Sequence, residues 1–231
     1  MEINEKIEYA VKHTEVLRAP KQRLATFGVT TITYYLLTEP VYGDVISGPK
    51  ETVVRDGRVI SERPKIVTPS YLTRLEGFGD NARSYIDKLV KERPSAPGLF
   101  YTYKNELRQV DIVSASLDVV AERLNKELEK VENSLTAIIK GVDELWDVSL
   151  LKFIAELTEQ SVRANVADLK GEGLLGVDDS GISKHGRYII EQLFDQARED
   201  PSRATELKQE LERWGLFQEY EDRFFALFRR R

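Results

Sequence analysis

The sequence predicts an α+β protein, with a small, mostly antiparallel sheet in the N-terminal half followed by a helical C-terminal half. Three observations carry this. Seven of the eight prolines lie at or before Pro97 and only Pro201 follows, so the leading hundred residues are punctuated too often for long helices. Runs of β-branched and aromatic residues fall in that leading part. Apolar residues at helical spacing fill the trailing part. We divide the chain into a β-rich segment, 1–115, and a helical one, 116–231, packed as one unit with the first or beside it, with no flexible linker between them.

Residues 3–18 read both ways. Ile3, Ile7, Ala10, Val11 and Thr14 suit a helix, whereas Ile7, Tyr9 and Val11 alternate as in a strand; we expect a strand entered from a short helical or frayed start. Residues 29–37 are nearly all β-branched, aromatic or aliphatic and form a strand that Pro40 ends. Residues 52–55 and 58–61 flank Asp56-Gly57, a dipeptide that suits a type I′ turn, which predicts a hairpin. A short strand at 65–67 leads to Thr68 as N-cap and Pro69 at the first helical position.

Ala82, Tyr85, Ile86, Leu89 and Val90 then mark a helix behind Asp80, and the proline-rich run at 93–98 breaks it. Residues 99–104 and 109–113 predict two more strands. Leu117, Val120, Ala121, Leu124, Leu128 and Val131 form an apolar stripe, with Ser116 as cap and Glu122/Lys126 as an i,i+4 pair. A long helix over 143–170 turns Leu150, Phe153, Ile154, Leu157 and Ala164 inward, and Gly171 ends it. A loop or small hairpin at 173–183 and helices over 183–198, 201–214 and 217–228 complete the chain.

With 231 residues, 41% hydrophobic and 32% charged, the chain is long enough for a core of its own. Residues 1–100 hold 15 Lys+Arg against 13 Asp+Glu, and residues 101–231 hold 19 against 26. The acidic helical half is therefore a poor binder of phosphate backbones. No cysteine occurs, which removes thiol nucleophiles, disulfides and thiolate metal sites and fits a reducing compartment. The opening Met-Glu-Ile-Asn-Glu-Lys carries neither a basic nor an apolar run, and no stretch approaches the ~18 apolar residues of a membrane span. A cytoplasmic location with no membrane partner is the expectation.

No motif specifies a chemistry. His13 and His185 each lack a second ligand at i+3 or i+4, so no metal site is expected, and both histidines read as surface or capping residues. Asp143, Glu144 and Asp147 read as carboxylates complementing a helix start. Asp178-Asp-Ser-Gly181 lacks the carboxylates of a calcium loop. Ser149-Leu-Leu-Lys152 has the Ser-x-x-Lys spacing of penicillin-recognising acyl enzymes without their following Lys-Thr-Gly. Gly77-Phe-Gly79 lacks the third glycine of a dinucleotide fingerprint, and no cofactor is expected.

Two sets of residues stand out. Arg55, Arg58, Arg63, Lys65, Tyr71 and Arg74, with Tyr101, Tyr103 and Lys104, combine guanidinium forks and rings that suit a phosphate, a nucleotide or single-stranded RNA. Trp214, Phe217, Tyr220, Phe224, Phe225 and Phe228 place six of 21 aromatic residues within 15 positions. Such rings must be covered, by the chain's own helices or by a partner chain, most simply a second copy. The leading expectation is a non-catalytic interaction or regulatory protein, homo-oligomeric through its helical half. The alternatives are a nucleic-acid or nucleotide binder using the Arg/Tyr set, and an enzyme acting on a phosphorylated or sugar-like substrate through carboxylate and arginine groups.

Overall fold

The computed structural model describes residues 3–41, 50–67, 98–130 and 135–229. They form two compact units, each built from two separate stretches of chain. The first unit comprises Met1–Arg63 and Tyr101–Asn165, the second Pro64–Phe100 and Val166–Arg231. The architecture is α+β, with the mostly antiparallel sheet preceding the main helices.

The first unit opens with helix α1 (Ile3–His13) and strand β1 (Glu15–Arg18), not with the strand expected around residues 7–11. Glu5 in its first turn and Lys12 and His13 in its last complement the helix dipole. Ala10 is buried, while Ile7, Tyr9 and Val11 stay exposed; the alternation there marks no sheet face. His13 Nδ1 bonds the Tyr9 carbonyl at 2.7 Å and so ends the helix.

Strand β2 (Thr30–Thr38) lies at the centre of a five-stranded sheet ordered β1-β7-β2-β3-β6. Its neighbours are β3 (Thr52–Ser61), antiparallel, and β7 (Thr136–Lys140), parallel. β3 pairs on its far side with β6 (Tyr103–Val113), and β7 with β1. β3 runs unbroken through Asp56-Gly57, so the expected hairpin is absent. Gly57 lies directly opposite Tyr34 of β2. A methyl group on it would sit 2.5 Å from the Tyr34 Cζ and 2.9 Å from the Glu106 carbonyl oxygen. The glycine is there for close approach, not for a turn, and it marks a bulge where β6 inserts one extra residue.

Each sheet face carries a helix. Leu117 and Val120 of α2 (Leu117–Glu129) pack on Leu37, Val54 and Ile138. Ser116 takes the N-cap position through its extended backbone, without a side-chain cap bond, and Lys126 reaches Glu122 at 2.6 Å. On the other face, Leu150, Phe153, Ile154 and Leu157 of α3 (Trp146–Gly171) pack on Ile32, Tyr34, Leu36, Val59, Ala137 and Ile139. A single 3-10 turn, Asp143–Leu145, precedes α3. Burial of these side chains, at roughly 1.5–3 kcal/mol each, holds the sheet between its helices.

In the second unit, the short strands β4 (Lys65–Val67) and β5 (Gly98–Phe100) pair antiparallel. Three helices follow: α4 (Lys184–Glu199), α5 (Ala204–Trp214) and α6 (Phe217–Ala226). The Ser183 hydroxyl caps α4 by accepting from Gly186 N at 3.3 Å. Gly215, at φ 69°, terminates α5 in the left-handed region, and Leu216 N returns to the Leu211 carbonyl at 2.8 Å. The core joins Val67 to Ile189, Ile190, Leu193, Phe194, Leu207, Leu211, Trp214 and Phe224. His185 is buried, unlike the expected surface residue, and its Nδ1 accepts from Ile66 N at 2.9 Å. The helix expected near 80–90, its cap and the Thr68-Pro69 start lie outside the described residues.

Candidate functional site

Strand β6 is an outer edge of the sheet: β3 pairs with one side of it, and no strand among the described residues pairs with the other. The sequence read residues 99–104 and 109–113 as separate strands; the structure joins 103–113 into one. A bulge at Arg108 shifts the side-chain alternation, so that Gln109 stands opposite Asp56 and Leu107 opposite Gly57. Tyr103, Asn105, Leu107, Val110 and Ile112 therefore share the sheet face that carries α3, because their β3 partners stand opposite Thr30, Ile32, Tyr34, Leu36 and Thr38. Asn105 Oδ1 accepts from the Tyr34 hydroxyl at 2.9 Å. Farther along, Leu107, Val110 and Ile112 are 42%, 49% and 59% exposed.

The opposite face of β6 is charged. Lys104 Nζ lies 2.8 Å from Glu106 Oε1, and Arg58 Nε donates to Glu106 Oε2 at 2.6 Å. Hydrogen bonds from Lys104 and Arg58 hold the Glu106 carboxyl below its ordinary range. The Arg108 guanidinium reaches Asp56 at 2.7 Å, and the Gln109 amide donates to Asp111 at 2.9 and 2.8 Å.

Of the Arg/Tyr set, Arg55 turns to the end of β2. It donates to Thr38 Oγ1 and Asp143 Oδ1, both at 2.8 Å, while Thr38 donates to Asp143 at 2.6 Å. The Trp146 ring centroid lies 5.5 Å from the guanidinium carbon. Asp143, expected only to complement a helix start, thus serves as the partner of Arg55. The rings of Tyr101 and Tyr103 stack at 6.3 Å, and Tyr103 bonds the Thr158 hydroxyl. Burial raises the pKa of both phenols. Buried Asn165 lies 3.3 Å from the Tyr101 hydroxyl and donates to the carbonyls of Leu24 and Ser161 at 3.2 and 3.0 Å. Arg63 is half-buried at the end of the first unit. Lys65 belongs to the second unit and pairs with Glu210 at 2.8 Å. Tyr71 and Arg74 lie outside the described residues.

The C-terminal rings divide. Trp214 and Phe224 are buried and Phe217 and Tyr220 pack against them, while Phe225 and Phe228 remain 44% and 52% exposed. Arg223 clamps this helix to α4, donating to both Glu191 oxygens at 2.7 and 2.6 Å and lying 4.0 Å from the Phe194 centroid. Hydrogen bonds from Arg223 lower the Glu191 pKa. Arg187 joins Asp178 to Glu219 and Tyr220. Burial pushes the Asp178 carboxyl up, but the bonds from Arg187 and from the Ile182 and Ser180 amides outweigh it and leave the pKa lowered.

Ser149 of the Ser-x-x-Lys sequence is buried, accepts from Val142 N at 3.2 Å and lies 2.8 Å from the Thr14 hydroxyl. Lys152 donates to the Thr14 carbonyl at 2.9 Å and pairs with Glu156. Both side chains tie the residue between α1 and β1 to α3. Among the described residues no group of three or more His, Asp or Glu is arranged to hold a metal ion. None of their helices is long and apolar enough to cross a membrane.

Leu107, Val110 and Ile112 do not stand out in the sequence, since the bulge hides their common face; the signal is Tyr103, Asn105 and Leu107 alternating up to a shifted Val110 and Ile112. Set against known proteins, the chain matches no family model, no curated protein and no solved structure.

Proposed function

We propose that this chain is a non-catalytic interaction or regulatory protein that works by associating with other polypeptide chains, copies of itself first, in the cytoplasm. The observation that carries the reading is the outer edge of β6 with its exposed aliphatic row; Phe225 on α6 and Phe228 just past its end are exposed as well. Exposed alternating aliphatic residues on a long edge strand are a template for another chain. The cysteine-free composition suits a reducing compartment.

A phosphate or nucleotide site on the Arg/Tyr set is less well supported. Arg55, Arg58, Lys65 and Lys104 each already hold a carboxylate of this chain, and a ligand anion would have to displace it. The test is the mass in solution, by light scattering across a concentration series, beside binding of a labelled single-stranded RNA across a salt series. The expected outcome is a mass rising above the 26.5 kDa of one chain, and no salt-sensitive RNA binding. A chain that stays at 26.5 kDa throughout and binds RNA with an affinity falling steeply with salt overturns the reading.

A further inference from the structure

The pattern of β6 also names its occupant. Its charged side chains run Lys104, Glu106, Arg108, Asp111, alternating in sign along the strand. Read from the other end, the order of signs is reversed. A strand with that property is complementary to itself when a second copy lies antiparallel beside it. Edge strands are commonly guarded by unbalanced lysines. Here Lys104 stands beside Glu106 and Arg108 beside Asp56, so the edge carries no net repulsion toward its own copy.

We infer that two copies of this chain meet through β6, paired antiparallel about a two-fold axis at Leu107, so that their sheets continue into one another. This rests on the reading of the chain as a self-associating protein and adds the surface and the register. Counting Arg108 and Gln109 as one step, as β3 does, puts Lys104 opposite Asp111 of the second copy, and Glu106 opposite the Arg108/Gln109 step. On the apolar face, Leu107 meets Leu107, Asn105 meets Val110, and Tyr103 meets Ile112. The two-fold axis makes every pairing occur twice except the one at the centre.

Other registers do worse. Moving the axis to the Arg108/Gln109 step puts Glu106 against Asp111. Moving it to Asn105 leaves Val110 and Ile112 outside the pairing, and moving it to Val110 leaves Tyr103 and Lys104 outside. Only the Leu107 register covers the exposed aliphatic row and matches all four charges.

The absence of cysteine from the chain makes the test clean. Leu107→Cys brings two thiols together at the axis, where directly opposite antiparallel Cα atoms lie about 4.5–5.5 Å apart, within disulfide range. Mild oxidation of the full-length variant is expected to give a covalent dimer. Val29→Cys, at an exposed position off this strand, is expected to give none. Independently, Lys104→Glu and Asp111→Lys each turn two attractions into repulsions and are expected to weaken the dimer by roughly tenfold or more, and the double exchange is expected to restore it.

If the unmodified chain dimerises by mass but Leu107→Cys links no faster than Val29→Cys and the charge exchanges change nothing, the β6 interface is overturned while self-association stands. If the unmodified chain is monomeric, both are overturned. Should a charge variant fold poorly, the cross-linking arm still decides.

Discussion

Replacing Gly57 with alanine tests why β3 runs straight through an Asp-Gly pair. The added methyl would lie 2.5 Å from the Tyr34 Cζ and 2.9 Å from the Glu106 carbonyl oxygen, and neither neighbour yields easily. Tyr34 is fully buried, and Glu106 contributes backbone. Overpacking of this kind costs about 1–3 kcal/mol. Displacing the Tyr34 ring also strains its 2.9 Å bond to Asn105, adding about 1 kcal/mol. Alanine recovers about 0.5–1 kcal/mol of chain entropy relative to glycine. The net destabilisation of Gly57→Ala is about 2 kcal/mol, or about 4–8 °C in Tm for a domain of this size.

The assay is urea unfolding followed by circular dichroism, run in two backgrounds. In the Tyr34→Leu background the ring is gone, and Gly57→Ala is expected to cost less than half as much. Were the cost the same in both backgrounds, or within about 0.5 kcal/mol of zero in the unmodified chain, the close-approach argument would be wrong.

Arg223→Ala removes the bidentate pair to Glu191 and the contact with the Phe194 ring, and is expected to cost about 1–2 kcal/mol at neutral pH; Arg223→Lys should recover only part of this. The pKa of Glu191 is lower in the folded state than in the unfolded one. Its stabilisation is therefore complete above the unfolded carboxyl range and fades as pH falls below about 4, so urea midpoints of the unmodified chain and Arg223→Ala should draw closer at low pH, leaving the share of the Phe194 contact. His185→Phe removes the buried acceptor of the Ile66 amide, which should exchange hydrogen faster and cost about 1–3 kcal/mol in unfolding experiments; unchanged exchange at Ile66 would contradict the assignment. Phe224→Ala, which opens a cavity in the second unit's core, should cost about 3–5 kcal/mol, whereas Phe228→Ala should change the urea midpoint little.

The elements legible in the sequence are those whose pattern is local. The run at residues 30–38 and the stripe from Leu117 to Leu128 each declare a period within one element. β7 went unread because Thr-Ala-Ile-Ile-Lys is a short, nearly all-buried run in a parallel pairing, where no alternation survives. The Asp56-Gly57 hairpin was a sound local inference overridden by a distant ring, since Tyr34 decides what fits at residue 57. The bulge at Arg108 put Leu107 and Val110 three apart on one face, a spacing that belongs to no regular strand. His185 was legible after all, four and eight residues ahead of Ile189 and Leu193 on the buried face of α4. Arg55 was visible as a candidate, but its partner Asp143 was not, because pairing across 88 positions leaves no trace in local spacing.

The proposed meeting of two copies at the edge of β6 has a direct readout. Hydrogen exchange of the full-length chain, followed amide by amide at dilute and at concentrated protein, tests it most directly. With β6 as the interface, higher concentration slows exchange along residues 103–112 and leaves residues 214–228 unchanged. Slowing confined to the C-terminal rings, with β6 the same at every concentration, would contradict it.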